Sequence, residues 1–224
     1  MPSNTVLVAC KVFAPEISLL GVDQARVHYL DQGLHRYPDD LRFELSKVLK
    51  QLEQDNEVHS AILAYGYCGG GLEGLSSTKL SFTLPLAHDC IPLLLGRIPS
   101  VDASNPDTTF YLSAGWVEYG KTPLTEFWES SKRLGVEDAR WVACEMVKNY
   151  REVSVIDNGT PLTSNCWMYA HEMSELCGLE CTRTQGNLGW LTDLIKARQD
   201  DRVITVPPGR TLCKSMFLQT DRKV

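Results

Sequence analysis

Apolar residues recur along the chain in two rhythms. Continuous runs too short for helices, at residues 5–10 and 60–65, predict buried strands, with further strands over residues 26–30 and 80–84. Between them, Leu41, Leu45, Val48, Leu49 and Leu52 recur at helical spacing. Tyr37-Pro38-Asp39-Asp40 opens that helix with a proline and two acids, and its end falls near Glu53. A shorter helix over residues 15–20 follows the first strand. Strand, helix, strand, helix, strand in that order calls for parallel pairing.

The last third reads the same way. Strands are predicted at residues 153–156, 179–183 and 203–206, with helices over 164–176, closed by Gly178, and over 188–198. Asp31-Gln32-Gly33-Leu34 and Thr184-Gln185-Gly186-Asn187 occupy matching places in the two plans. The middle holds a buried helix start at 91–95, a strand at 110–112 and two helices between Pro123 and Lys148. The expected fold is α/β: two Rossmann-like βαβαβ halves with parallel sheets, related by a degenerate internal duplication, with a site in the cleft between them. The expected divisions are residues 1–112 for the first half, 113–150 for a helical connection and 151–224 for the second half.

Composition narrows the function. The 224 residues are 43% hydrophobic, enough for a substantial core, and the formal net charge of -6 with no basic stripe argues against nucleic acid. No apolar run reaches membrane-spanning length, and residues 1–5 lead directly into a strand without signal-peptide character, so a cytoplasmic, soluble protein is expected. A small-molecule substrate is the expected partner. The eight cysteines are expected to be reduced, because disulfide frameworks belong mostly to chains too small to build a core.

The candidate chemistry stands at the strand ends. Cys10 closes the first strand, Tyr65-Gly66-Tyr67-Cys68-Gly69-Gly70-Gly71 follows the third, and Ala87-His88-Asp89-Cys90 follows the fourth. His88 and Cys90 are two apart, so on an extended segment both face one side and can grip one ion. Zinc accepts such nitrogen and sulfur ligands at about 2.0 to 2.3 Å, using three protein ligands in catalytic sites and four in structural ones. Cys10, Cys68, His88 and Cys90 are the candidate ligands. Three thiolates with one open position also describe a [4Fe-4S] enzyme, and the sequence does not separate the two. No Cys-x-x-Cys occurs, which argues against a ferredoxin or zinc-ribbon unit.

Gly69, Gly70 and Gly71 expose backbone N–H groups that could hold an anionic part of a cofactor or substrate. The formal Gly-x-Gly-x-x-Gly from Gly69 to Gly74 is not a dinucleotide fingerprint, because only residues 75–79 separate it from the next strand, too few for a crossover helix. Glu16 and Glu73 are candidate acid-base residues or partners for His88, while Asp89 faces away on an extended segment. Cys68 as a nucleophile activated by His88 ranks lower, since it leaves Cys10 and Cys90 without a role. Cys144, Cys166, Cys177 and Cys181 read as core residues. His28, His35, His59 and His171 read as surface or satisfied histidines.

Tyr65-Gly66-Tyr67-Cys68-Gly69, Ala87-His88-Asp89-Cys90-Ile91 with Leu93-Leu94-Leu95-Gly96, Gly115-Trp116 and Val206-Pro207-Pro208-Gly209 occur in an order that resembles the domain of unknown function 1638 family. The resemblance implies a role near methyl transfer, since members are often encoded beside corrinoid methyltransferase systems. It also implies functional positions at Cys10, Cys68, His88 and Cys90. Members often carry Cys-Glu where this chain has Cys10-Lys11. The His-x-Cys pair is similar in chemistry to the zinc site of methyltransferases that alkylate a thiol.

The expectation is therefore a metal-dependent enzyme, transferase or lyase in type, with zinc activating a small thiol, a methyl-bearing molecule or a similar substrate. The alternatives are a three-cysteine [4Fe-4S] enzyme and a metal or cofactor carrier serving a corrinoid or metalloenzyme system.

Overall fold

A computed structural model describes residues 1–98 and 108–217. In chain order the elements are β1 (Thr5–Cys10), α1 (Ala14–Leu19), β2 (Val27–Leu30), α2 (Pro38–Leu52), β3 (Ser60–Ala64), β4 (Ser81–Pro85) and α3 (Ile91–Leu95). There follow β5 (Thr109–Leu112), α4 (Ala114–Tyr119), α5 (Pro123–Leu134), α6 (Val136–Glu145), β6 (Glu152–Asp157), α7 (Thr163–Cys177) and β7 (Glu180–Gln185). The chain closes with α8 (Gly189–Ile195), β8 (Val203–Val206) and α9 (Lys214–Phe217).

The chain forms two compact units, one of Met1–Ile98 with Asn187–Val224 and one of Pro99–Gly186. The first is built on a five-stranded sheet of order β2-β1-β3-β4-β8, parallel except for β8. All six residues of β1 are buried, as a central parallel strand covered on both faces requires. The four leucines and the valine that mark α2 in the sequence are its buried face: Leu41, Leu45, Val48, Leu49 and Leu52. Each large aliphatic side chain so buried contributes about 1.5–3 kcal/mol.

The second unit carries the three-stranded parallel sheet β5-β6-β7. Its core gathers Leu112, Leu124, Val147, Val153, Val155, Cys166, Ala170 and Met173. The helix α4 is not anticipated by apolar spacing. It is set by Ser113, whose hydroxyl accepts the Trp116 N–H at 3.3 Å and caps the turn.

Two expectations need correction. Strand β8 does not complete a second βαβαβ half: it pairs antiparallel with β4, Phe82 opposite Val206 and Pro85 opposite Val203. Helix α8 explains this, because its apolar face of Trp190, Leu191, Leu194 and Ile195 is buried against β3, β4 and α3 and carries the chain back to the first sheet. The place beside β6 that a duplication would give to β8 is taken by β5, which precedes β6 in the chain. Residues 187–224 accordingly belong with the first unit.

Candidate functional site

In the sheet order β2-β1-β3-β4 the connections leave β1 and β3 toward opposite sides, so the loops diverge outside the carboxyl ends of these two strands. Open parallel sheets place their ligands at such a switch point. Cys10 ends β1. The register pairs Ala9 with Ala64, so Cys10 comes level with Tyr65, three residues before Cys68.

Backbone bonds stitch the loop after β3 to the loop after β4. The Tyr67 N–H donates to the Ala87 carbonyl at 2.7 Å and the Cys68 N–H to the His88 carbonyl at 2.9 Å. Gly66 makes this approach possible: a Cβ there would stand 2.5 Å from the Asp89 backbone. Cys68 (φ 47), Gly69 (φ 65) and Gly70 (φ 103) then take left-handed backbone in succession. The left-handed conformation costs a cysteine about 1–2 kcal/mol, so the local fold holds Cys68 against its preference.

The glycine loop is held from outside. The N–H of Gly70 donates to the Tyr67 carbonyl at 3.0 Å and that of Gly71 to the Cys68 carbonyl at 3.2 Å, so both serve the turn. Arg42 Nη2 donates to the Gly70 carbonyl at 3.0 Å, and Gly71 lets Leu41 of α2 come where a Cβ would meet it at 2.5 Å. The Tyr67 hydroxyl donates to Glu73 Oε2 at 2.9 Å, and its ring lies 5.2 Å from Phe217. Gly69 is the exposed member of the three glycines.

Electrostatics tie three side chains together. Burial pushes the Cys10 thiol up to about 11; the Asp31 charge adds to this, and the backbone N–H groups of Val12 and Lys11 oppose it. Burial pushes Cys68 up to about 12, reinforced by the charges of Cys10 and Asp89 and opposed by the Gly66 backbone. Tyr65 rises well above the usual phenol range through burial and the charges of Cys10 and Cys68. Among the described residues, the buried Tyr65 hydroxyl has no hydrogen-bond partner. Two protonated thiols and a phenol therefore share one small region, each resisting a negative charge on the others.

Residues 29–195 match the family described as Protein of unknown function (DUF1638). The chain belongs to the DUF1638 family. The matched span carries Tyr65, Cys68, Glu73, His88 and Cys90 of this DUF1638 chain, while Cys10 and Glu16 precede it. No curated protein and no solved structure matches the chain.

The expected site residues fall as follows in this DUF1638 fold. Cys10 is buried, Cys68 and Cys90 are half-buried, and His88 is exposed at the surface. Glu16 is buried in the first turn of α1, and Glu73 holds Tyr67. Cys10 and Cys68 are brought together. Among the described residues, no three His, Cys, Asp or Glu side chains stand close enough to hold one ion, so His88 and Cys90 do not complete a preformed cage. Pro207-Pro208-Gly209 lies at the amino end of β4, where the Gly209 N–H donates to the Ser77 carbonyl at 2.7 Å. It therefore lies at the opposite rim of the sheet from Cys10 and Cys68.

Several residues at the site carry no sequence mark. Asp89 is exposed, and its Oδ1 accepts the Ile91 N–H at 2.8 Å. Loss of surrounding water raises its carboxyl pKa, with the Ile91 bond and the charges of His88 and His35 pulling it back. His35 comes from the turn after β2, where its Nδ1 lies 2.6 Å from the Gln32 carbonyl. The signal was its place after a strand, since four parallel strands deliver all their following loops to one rim.

Proposed function

We propose that this protein is a metal-dependent enzyme in which Cys10 and Cys68, with Cys90 or His88 as third ligand, hold a zinc ion that activates a small thiol, methyl-bearing or similar substrate. The observation that carries this reading is the meeting of Cys10 and Cys68 at the switch point of the sheet, beside the unpartnered buried hydroxyl of Tyr65. Two soft sulfur donors suit zinc, and a cation supplies the positive charge that both thiols lack. The donor set therefore fits two ligands of such an ion directly. The third comes from the turn that the Cys68–His88 backbone bond fastens to them. Bound zinc would act as a Lewis acid and lower the pKa of a coordinated thiol or water.

The remaining roles belong to the chain. Tyr65, kept as a neutral phenol, donates a hydrogen bond to an acceptor atom of the substrate. Glu73 fixes Tyr67 at the rim, and the exposed Gly69 N–H is the one of the three glycines left toward an anionic substrate group. Glu16 is the buried carboxylate candidate for proton transfer. A corrinoid or methyltransferase system is the proposed partner, and the cytoplasm the proposed location. Among the described residues no helix is long and apolar enough to cross a membrane.

A high thiol pKa weighs against Cys68 as an unassisted nucleophile, because the thiolate is the reactive form. The three cysteines at the ends of β1, β3 and beyond β4 keep a [4Fe-4S] enzyme as the second reading. Elemental analysis and an absorption spectrum of anaerobically purified protein separate them. Zinc near one per chain supports the first, iron with sulfide and a broad visible band the second. Protein that neither carries nor takes up metal contradicts both.

A further inference from the structure

The unit of residues 99–186 carries a second sulfur pair, remote in sequence from the residues assigned above. Cys144 on the last turn of α6 and Cys177, the last residue of α7, bring their sulfurs to 2.7 Å. That separation is well inside van der Waals contact and a short step from the disulfide bond length of about 2.05 Å. It is also too close for two thiolates on one tetrahedral zinc, whose ligands stand about 3.8 Å apart at Zn–S distances of about 2.3 Å. The spatial arrangement therefore favours covalent chemistry over metal binding. Both are half-buried, and Cys177 packs against the core cluster of this unit.

The surroundings suit an exchange reaction. Arg140 Nε donates to the Leu176 carbonyl at 2.9 Å, and its charge favours a thiolate at Cys177. The Cys144 sulfhydryl also reaches the Leu176 carbonyl at 3.5 Å. Helix α7 ends at Gly178 in left-handed backbone (φ 70), so Cys177 sits where the helix can give slightly without breaking its interior.

We infer that Cys144 and Cys177 form a redox-active dithiol that closes to an intramolecular disulfide by exchange with a low-molecular-weight disulfide such as oxidised glutathione. One of the two residues, as its thiolate, attacks one sulfur of the small disulfide, and the first small thiolate leaves with both electrons of the broken bond. The other, losing its proton to solvent, then attacks the sulfur of that mixed disulfide borne by the first residue and expels the second small thiolate. Two protein thiols become one disulfide, and one small disulfide becomes two small thiols. The bond fastens the end of α6 to the end of α7 around the intervening β6.

The test equilibrates the full-length protein in glutathione buffers of graded redox poise, traps it with an alkylating agent and maps the peptides by mass spectrometry. The expected result is a reversible species two hydrogens lighter, with a linked Cys144–Cys177 peptide and a melting temperature several degrees higher. In Cys144→Ser the lighter species should vanish, and Cys181→Ser should leave it unchanged. Absence of the linked peptide at the most oxidising poise, or scrambled linkages among the eight cysteines, would overturn the inference. The wild-type measurement stands alone if a variant fails to fold.

Discussion

The backbone N–H of Cys68 donates to the carbonyl of His88 at 2.9 Å, joining the two motifs that carry most of this chain's candidate chemistry. The bond depends on Gly66, which admits the Asp89 backbone where a Cβ would stand at 2.5 Å. Gly66→Ala should therefore push the loops after β3 and β4 apart. The expected loss is about 1–3 kcal/mol of stability, the usual range for forced overpacking, together with weaker zinc binding. Chemical denaturation and a zinc titration read the two effects separately.

The hydroxyl of Tyr65 is buried with no partner among the described residues, so its removal should relieve a desolvation penalty. Tyr65→Phe should be more stable than the wild type by about 1 kcal/mol while binding or turning over substrate less well. A thermal melt beside an activity or binding assay checks this. A destabilised variant with unchanged function would assign the hydroxyl to the fold instead.

Cys68 holds left-handed backbone at φ 47. Cys68→Gly should consequently be more stable than Cys68→Ala by about 1 kcal/mol, although both lose the thiol. Equal stabilities in urea would mean that the strain is absent in solution.

Cys10 and Cys68 ionise at about 11 and about 12 in the folded chain, against an ordinary 9.0. The folded state holds these protons more tightly than the unfolded chain. Their contribution to stability is thus complete below pH 9 and is lost as pH rises through 11 to 12. Wild-type protein free of metal should melt in alkali more steeply than the Cys10→Ala, Cys68→Ala variant. Zinc binding near neutral pH should release one proton for each thiol ligand, measurable by calorimetry in buffers of different ionisation enthalpy.

Much of the fold was legible because local spacing carries it. The leucines of α2 show helical period in the sequence and form one buried face, and the apolar runs of β1 and β3 are too short to be helices. The partner of β8 was not legible. Its four residues, Val203–Val206, say nothing of which sheet they join, and the burial of Trp190 and Leu191 on α8 decides it. At the site, thiols and glycines advertise themselves, whereas Tyr65 looks like any core aromatic until its hydroxyl is found without a partner. His35 faces Asp89 from another loop, and Cys144 meets Cys177 only through the relative phase of two helices. Such relations are tertiary and leave no local pattern.

The most direct test of the metal reading is elemental analysis of anaerobically purified wild-type protein beside a folded Cys68→Ala, Cys90→Ala variant, with a zinc titration of each after chelation. The account predicts zinc near one per chain in the wild type, lost in the variant, and tight rebinding only by the wild type. A wild-type protein that is metal-free as purified and binds zinc no better than the variant would contradict it.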